Sequence, residues 1–301
     1  GALRSEHGEQ KMDTRETALL LFVEMEKTKN FGSSLIRDTL NKYDYEDPRE
    51  KAFLKRLTEG TLESLLTLDY VINAYSKTPT NKMKPLIRSL LRLSVYQILY
   101  MDTVPDSAAC NEAVRLAKKK GFERLSGFVN GVLRTITRNK EEILNSESAF
   151  WQELQKNPVQ ALSVRYSVPE WMISLWEAQY GEEKTEPMLE RLKNGRPLTI
   201  RLDSRLTEEE KAQEIAAIEV AGVTVQKHQL YADAWNLEGC EGIGHLPGFA
   251  EGLFYAQDVS SMLAGEAAGI SGGMTVMDLC SAPGGKTTIA ARKAVSYTHL
   301  R

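Results

Sequence analysis

The run MDLCSAPGGKTT, Met277 to Thr288, collects an acid, a proline, two adjacent glycines, a lysine and three hydroxyls in one short stretch. Glycines let backbone approach a ligand, and the free N–H groups at a helix start favour negative charge. A phosphate loop ending in Gly285, Lys286 and Thr287 needs glycine at position 280, where the chain has Cys280. The dinucleotide pattern fails too, because Gly284 and Gly285 are adjacent and no third glycine follows. What remains is a strand expected to end at Asp278, a turn set by Pro283 and a helix start. That arrangement suits a carboxylate as readily as a phosphate. S-adenosyl-L-methionine carries a carboxylate, an amino group and an adenosine. Asp278 is expected to complement the amino group, and Cys280, Ser281, Ala282, Pro283, Gly284, Gly285 and Lys286 to form the cofactor-binding loop. Lys286 either screens the cofactor carboxylate or faces solvent, and a ligand-free strand-to-helix turn is the plainer alternative.

Other residues with chemical potential are scattered. Cys110, Cys240 and Cys280 are far apart with no CxxC spacing, which argues against a zinc site or a disulfide framework and fits a reducing cytoplasm. No metal is expected. Arg88 with Arg92, Arg134 with Arg138, and the run Lys118 to Lys120 share helical faces, as an RNA-gripping patch or as ordinary solvated surface. Trp171, Trp176 and Tyr180 fit base stacking, or the core positions that aromatics at helical spacing usually occupy.

These residues need elements to hold them. With 301 residues, 42% hydrophobic and 26% charged, the chain is long enough for more than one globular core. The net charge of -3 leaves only a local patch for any RNA contact. No apolar run approaches the ~18 residues of a membrane span, and no secretory leader is read. From Asp13 to about Asn139 apolar residues recur at helical spacing, opened by Asp13 and Glu16 as a capping box. PLIRSLLRLSVYQILYM, Pro85 to Met101, is apolar nearly all round and should be the central, buried helix. A helix from Pro105 to Gly121 and another over Gly127 to Thr137 follow. RNKEEILNSES, residues 138 to 148, reads as a connector. Pro169 to Gly181 reads as a short aromatic helix, Arg196 to Asp203 as a strand, and Thr207 with Glu210 as a capping box opening a helix to about Ala221. VTVQKH, the run from Ala234 to Gly239 and GIGHLPGF read as short strands and turns. TVMDLC followed by SAPGGKTTIAARKA reads as the first strand, turn and helix of a Rossmann-like α/β domain.

DLCSAPGGKTT resembles the cofactor motif of the RNA cytosine-C5 methyltransferases of the RsmB/NOP type, with Ser281 where the usual motif has alanine. GFAEGLFYAQDVSS, Gly248 to Ser261, is similar to that family's preceding segment, with Phe249, Gly252, Gln257 and Asp258 in the expected places. RSLLRLSVYQILYMDTVPDSAACNEAVRLAKKKG and FVNGVLR resemble the NusB-like RNA-binding domain that bacterial members carry at their N-terminus. The resemblance reaches to about Lys293. It implies a multidomain protein: an all-α NusB-like helical bundle over residues 1–143, a linker and small α+β domain over 144–247, and the start of a Rossmann-like methyltransferase domain over 248–301.

The resemblance further implies S-adenosyl-L-methionine as cofactor and 16S rRNA as partner, in a cytoplasmic monomer that forms 5-methylcytosine. A cysteine thiolate of the family attacks C6 of the cytosine, C5 takes the methyl group, and a base removes the C5 proton. The family's nucleophile lies in Pro-Cys and Thr-Cys motifs that this sequence does not contain, so no catalytic residue is assigned. The chain, which starts at Gly1, is read as a C-terminally truncated and inactive form of an active parent, and Val295 to Arg301 as foreign to the gene. The alternative is a non-catalytic NusB-type RNA-binding protein acting in transcription antitermination or ribosome assembly.

Overall fold

The structure is a computed structural model that describes residues 13–29, 35, 36, 38, 39, 48–193, 197–240 and 242–294. Arg196 and the tail from Val295 to Arg301 lie outside the described residues. The chain forms two compact units, Gly1–Lys193 and Asn194–Arg301. Among the described residues no helix is long and apolar enough to cross a membrane.

Among the described residues the first unit is built of helices, with no strand. Helix α1, Thr14–Thr28, is capped by Asp13, whose side chain accepts from the Arg15 N–H at 3.3 Å. The expected reciprocal box is only half made. Glu16, 3% exposed, instead pairs with Lys119 and Lys120, each at 2.6 Å. Burial works to raise the Glu16 pKa, but the two ammonium groups bring it below the ordinary value. Helices α2 (Pro48–Glu63) and α3 (Leu65–Tyr75) follow, then α4 (Pro85–Tyr100), α5 (Asp106–Lys119) and α6 (Glu123–Arg138). Helix α4 buries Ile87, Leu90, Leu91, Leu93, Val95, Ile98 and Leu99 and packs against α1, α2, α3, α5 and α6, the central position its composition predicts.

Helix α6 turns Val129, Val132, Leu133 and Ile136 inward. It also carries Gly127 and Gly131 in its interior, where each costs about 1 kcal/mol of helix propensity relative to alanine. Nothing lies within 4 Å of a Cβ built at either position, so packing inside the chain does not call for a glycine there.

Residues 138 to 148, expected as a connector, are largely structured. They form α7, Lys140–Leu144, and lead into α8, Ala149–Gln152. Ile143 joins the main core, and the Trp151 ring stacks on Tyr70 at 5.5 Å while its N–H donates to the Ile143 carbonyl. A few apolar anchors in a charged stretch were enough to fasten it. Helices α9 (Pro158–Tyr166), α10 (Glu170–Tyr180) and α11 (Glu182–Lys193) close the unit around Tyr166, Ile173 and Leu189.

The second unit is built on a four-stranded antiparallel sheet in the order β2-β3-β1-β4. Its strands are β1 (Leu198–Leu202), β2 (Thr224–Lys227), β3 (Ala234–Glu238) and β4 (Phe254–Ala256), with α12 (Glu208–Val220) between β1 and β2. The Thr207 and Glu210 capping box that opens α12 is complete. Because β1 and β2 both run antiparallel to the β3 between them, they are parallel to each other and joined by α12 as a split βαβ unit. Strand β4, which sequence patterning does not reveal, pairs Leu202 with Phe254 along the other side of β1. Ile200 and Leu202 face α12, joining Ile215, Ile218, Leu237 and Phe254 in the core. Alternation along the strand sends Arg201 to the opposite face. There α13 (Val259–Ala267) and α14 (Gly285–Ala294) pack together, through Met262 and Ile289.

Residues 275–280, expected as the first strand of a Rossmann-like sheet, form no strand here. Met277 and Leu279 are 83% and 86% exposed. An apolar strand of a parallel sheet needs partner strands beside it and helices on both faces, and no described strand lies beside these residues.

Candidate cofactor loop

The loop predicted from Cys280 to Lys286 connects these residues to α14. Its peptide between Ala282 and Pro283 is cis, and Gly284 has φ +108, a conformation that residues with a Cβ rarely adopt. The turn closes on Asp278. One carboxylate oxygen accepts from the Cys280 N–H at 3.0 Å and the other from the Thr287 hydroxyl at 2.6 Å. The Thr287 hydroxyl bond, then the Cys280 amide bond, holds the Asp278 pKa below its ordinary value. Asp278, expected to meet the cofactor amino group, thus organises the turn itself. Ser281 enters the same cluster through its carbonyl, 3.3 Å from the Thr287 hydroxyl. Lys286 is exposed, as are Cys280, Ser281, Ala282 and Pro283.

Beneath the loop lies a contact that sequence patterning alone does not reveal. Arg201, only 3% exposed, donates from Nε to Gln257 Oε1 at 2.8 Å and from Nη2 to the Thr288 hydroxyl at 3.1 Å. Burial lowers its pKa, and the nearby Arg292 guanidinium adds to the effect. Gln257 is also buried, and its Nε2 has no hydrogen-bond partner. That nitrogen lies 3.2 Å from where a Cβ on Gly285 would sit, so side-chain bulk at Gly285 would press on it. Arg292, on α14, donates to Asp203 at 2.5 Å, and Arg205 donates to the same carboxylate. Burial favours the neutral acid, but the bonds from Arg205 and the charge of Arg292 bring the Asp203 pKa down to about 2. On the far side, Ile289 fits beside Gly265 of α13, where an added Cβ would come within 2.9 Å of it. Of the preceding-segment residues, Asp258 caps α13 by accepting from the Ser260 N–H at 2.8 Å. Gly248 (φ +75) leaves room for Glu214, whose Oε1 would be 2.1 Å from a Cβ there.

The other candidates separate. Arg88 and Arg92 are not surface phosphate ligands: they converge on Glu26 at 2.5 and 2.8 Å, and Arg92 also pairs with Asp69 at 2.6 Å. Their side chains are 19% and 12% exposed, because α4 is wrapped by other helices on that side too. Lys119 and Lys120 are engaged by Glu16. Trp176 packs in the small core of α9 to α11, whereas Trp171 and Tyr180 are 66% and 49% exposed. Cys110 is buried and its thiol pKa is raised by that burial, Cys240 is half-buried, and Cys280 is exposed in the loop. Among the described residues no three His, Cys, Asp or Glu side chains converge as a metal site.

A helical bundle followed by a split βαβ sheet that seats a glycine loop defines a two-domain class, and comparison gives both parts a family. Residues 12–138 match the NusB family, and residues 168–241 match the ferredoxin-like domain of RsmF/B-like methyltransferases. The chain carries a NusB-family domain joined to the ferredoxin-like domain of that methyltransferase group. It is 33% identical over 92% of its length to the probable ribosomal RNA small subunit methyltransferase B of Bacillus subtilis (strain 168), covering 59% of that protein. With the protein of the same description from Synechocystis it shares 31% identity, covering 92% of this chain and 60% of the relative. The chain therefore spans about three fifths of the curated relatives it matches. The crystal structure of PH0851 shares the fold, with a TM-score of 0.62 at 20% identity over 94% of this chain and 61% of that one.

Proposed function

We propose that the chain is part of an S-adenosyl-L-methionine-dependent methyltransferase that forms 5-methylcytosine in 16S ribosomal RNA. The observation that carries this reading is the turn from Asp278 to Thr288. Its carboxylate folds the turn, a positive-φ glycine bares the backbone, and a helix begins at once. In the holoprotein Cys280, Ser281, Ala282, Pro283, Gly284, Gly285 and Lys286 would hold the cofactor, which supplies an electrophilic methyl group on sulfur. The buried amide of Gln257, without an acceptor, fits an additional polar group placed at the loop. In this reading residues 275–294 are the strand, turn and helix that begin a Rossmann-like domain, and the strand forms when neighbouring strands are present.

None of the three cysteines suits the nucleophile. Cys110 is buried with a raised pKa, Cys240 stands away from the loop in sequence, and Cys280 belongs to the cofactor turn. The exposed Met277 and Leu279 favour one second reading, a NusB-type RNA-binding protein without catalysis. The experiment is methyl transfer from labelled cofactor to ribosomal RNA, comparing this 301-residue chain with the Bacillus subtilis relative. The relative should methylate cytosine and this chain should not. Transfer by this chain would overturn the cysteine argument, and a relative that methylates no cytosine would overturn the reaction.

A further inference from the structure

Within the first unit, the helical bundle and helices α9 to α11 leave a cavity of about 650 Å³ between them, a volume in the range of small-molecule sites. Helix α9 is tied to α3 by two polar contacts: the Thr67 hydroxyl donates to the Val164 carbonyl at 2.5 Å, and the Ser167 hydroxyl accepts from the Leu66 N–H at 3.1 Å. Its Val159 and Leu162 border the cavity, facing Ile143 and Leu144 of α7 and Leu154. Trp151 completes the wall. Its ring stacks on Tyr70 and its N–H is engaged by the Ile143 carbonyl, so it can offer a ligand only π surface. Five charged side chains edge this space, and they do not balance. Arg165 is answered by Glu186 at 2.8 Å. Lys193, at the C-terminal end of α11, donates to the Arg165 carbonyl at 2.9 Å and lies over the Tyr166 ring. Glu182 opens α11 about 16 Å away along the helix axis, across the Gly181 turn from Glu177. Among the described residues neither Glu177 nor Glu182 has a cation at ion-pair distance.

We infer that this cavity is a binding site for a small organic cation, a protonated amine with an aromatic or apolar body. The body lies against Leu154, Val159 and Leu162, and the ammonium group is drawn to Glu177 and Glu182. A cation is attracted both to carboxylates and to an aromatic face, and both attractions strengthen as water is expelled. An anion of the same shape meets two carboxylates that nothing else neutralises. The volume fits a drug-sized molecule rather than a docked helix. Every lining residue belongs to the first unit, so occupancy of the cavity is independent of the cofactor loop and of the methyltransferase reading.

Isothermal titration calorimetry of the whole chain with 4-phenylbutylamine, 4-phenylbutan-1-ol and 4-phenylbutyrate tests the site, because the three probes share one body and differ in charge. The amine should bind about tenfold more tightly than the carboxylate, with the alcohol between them, and its advantage should shrink at high salt. Glu177→Gln combined with Glu182→Gln should weaken the amine by roughly tenfold and leave the alcohol unchanged. Ala161→Trp, which brings a ring into the cavity from α9, should abolish binding of all three. The glutamine pair keeps the shape of both side chains, so it decides the matter even where Ala161→Trp lowers the melting temperature. Glu209→Gln, an exposed acid that does not line the cavity, should change nothing. No binding of the amine, equal affinity for amine and carboxylate, or full amine affinity in the double glutamine variant overturns the assignment. Much tighter binding of the blocked dipeptide N-acetyl-phenylalanyl-lysine amide than of the amine also overturns it, in favour of a polypeptide occupant.

Discussion

Replacing Glu26 with alanine should destabilise the helical unit while sparing RNA affinity. Glu26 accepts three charge-assisted hydrogen bonds, from Arg88 at 2.9 and 2.5 Å and from Arg92 at 2.8 Å, and its side chain is 8% exposed. Without it, Arg92 keeps Asp69, but Arg88 retains only the Thr80 carbonyl. Breaking a buried ion pair by removing one partner costs about 3–5 kcal/mol. Because Arg88 is 19% exposed and gains some hydration in return, the low end, about 3 kcal/mol, applies here. For a unit of this size each kcal/mol moves the melting temperature by about 2–4 °C, so the first transition should fall by about 6–12 °C. Circular dichroism melts of the whole chain read this directly, with Glu26→Gln falling by less because it keeps the shape and one acceptor. An unchanged melt together with lost RNA affinity would refute the reasoning and return Arg88 and Arg92 to the surface.

Gly60→Ala should cost about 1–3 kcal/mol, because the new methyl would sit 1.9 Å from the Tyr96 hydroxyl oxygen and Tyr96 is 8% exposed; urea titration measures it. Glu214, whose pKa burial raises with help from Glu251, favours the native state while protonated. Its contribution is fully present below the unfolded value of about 4.3 and is lost as pH rises through the raised folded value, so Glu214→Gln should flatten the fall in stability over that window. Asp203 behaves oppositely. With its pKa at about 2, its contribution is present above the unfolded value of about 3.9 and is lost as pH falls through 2, a loss that acid unfolding of Asp203→Asn should no longer show.

The helical half was legible because long apolar periodicities decide helices: Pro85 to Met101 could hardly be anything but a core. The loop was legible because its glycines and proline are tied to backbone geometry. Arg201 was not. It sits in the alternating strand LTIRL, where a charged residue reads as solvent-facing, and only the packing of α13 and α14 on the second face turns it inward. Strand β4 was hidden because three residues carry too little pattern, and its pairing with β1 is settled by tertiary neighbours. The misreading of Arg88 and Arg92 has the same origin: helical spacing says which residues share a face, not what that face meets.

The seat for α14 includes Arg201 and Asp203 at the first strand, Gln257 directly after the last and Gly265 of α13, and every one of these precedes the loop in the chain. A nascent polypeptide can therefore finish this platform before the glycine turn leaves the ribosome tunnel. The helix then lands on a surface already made, held at its first turn by Thr288.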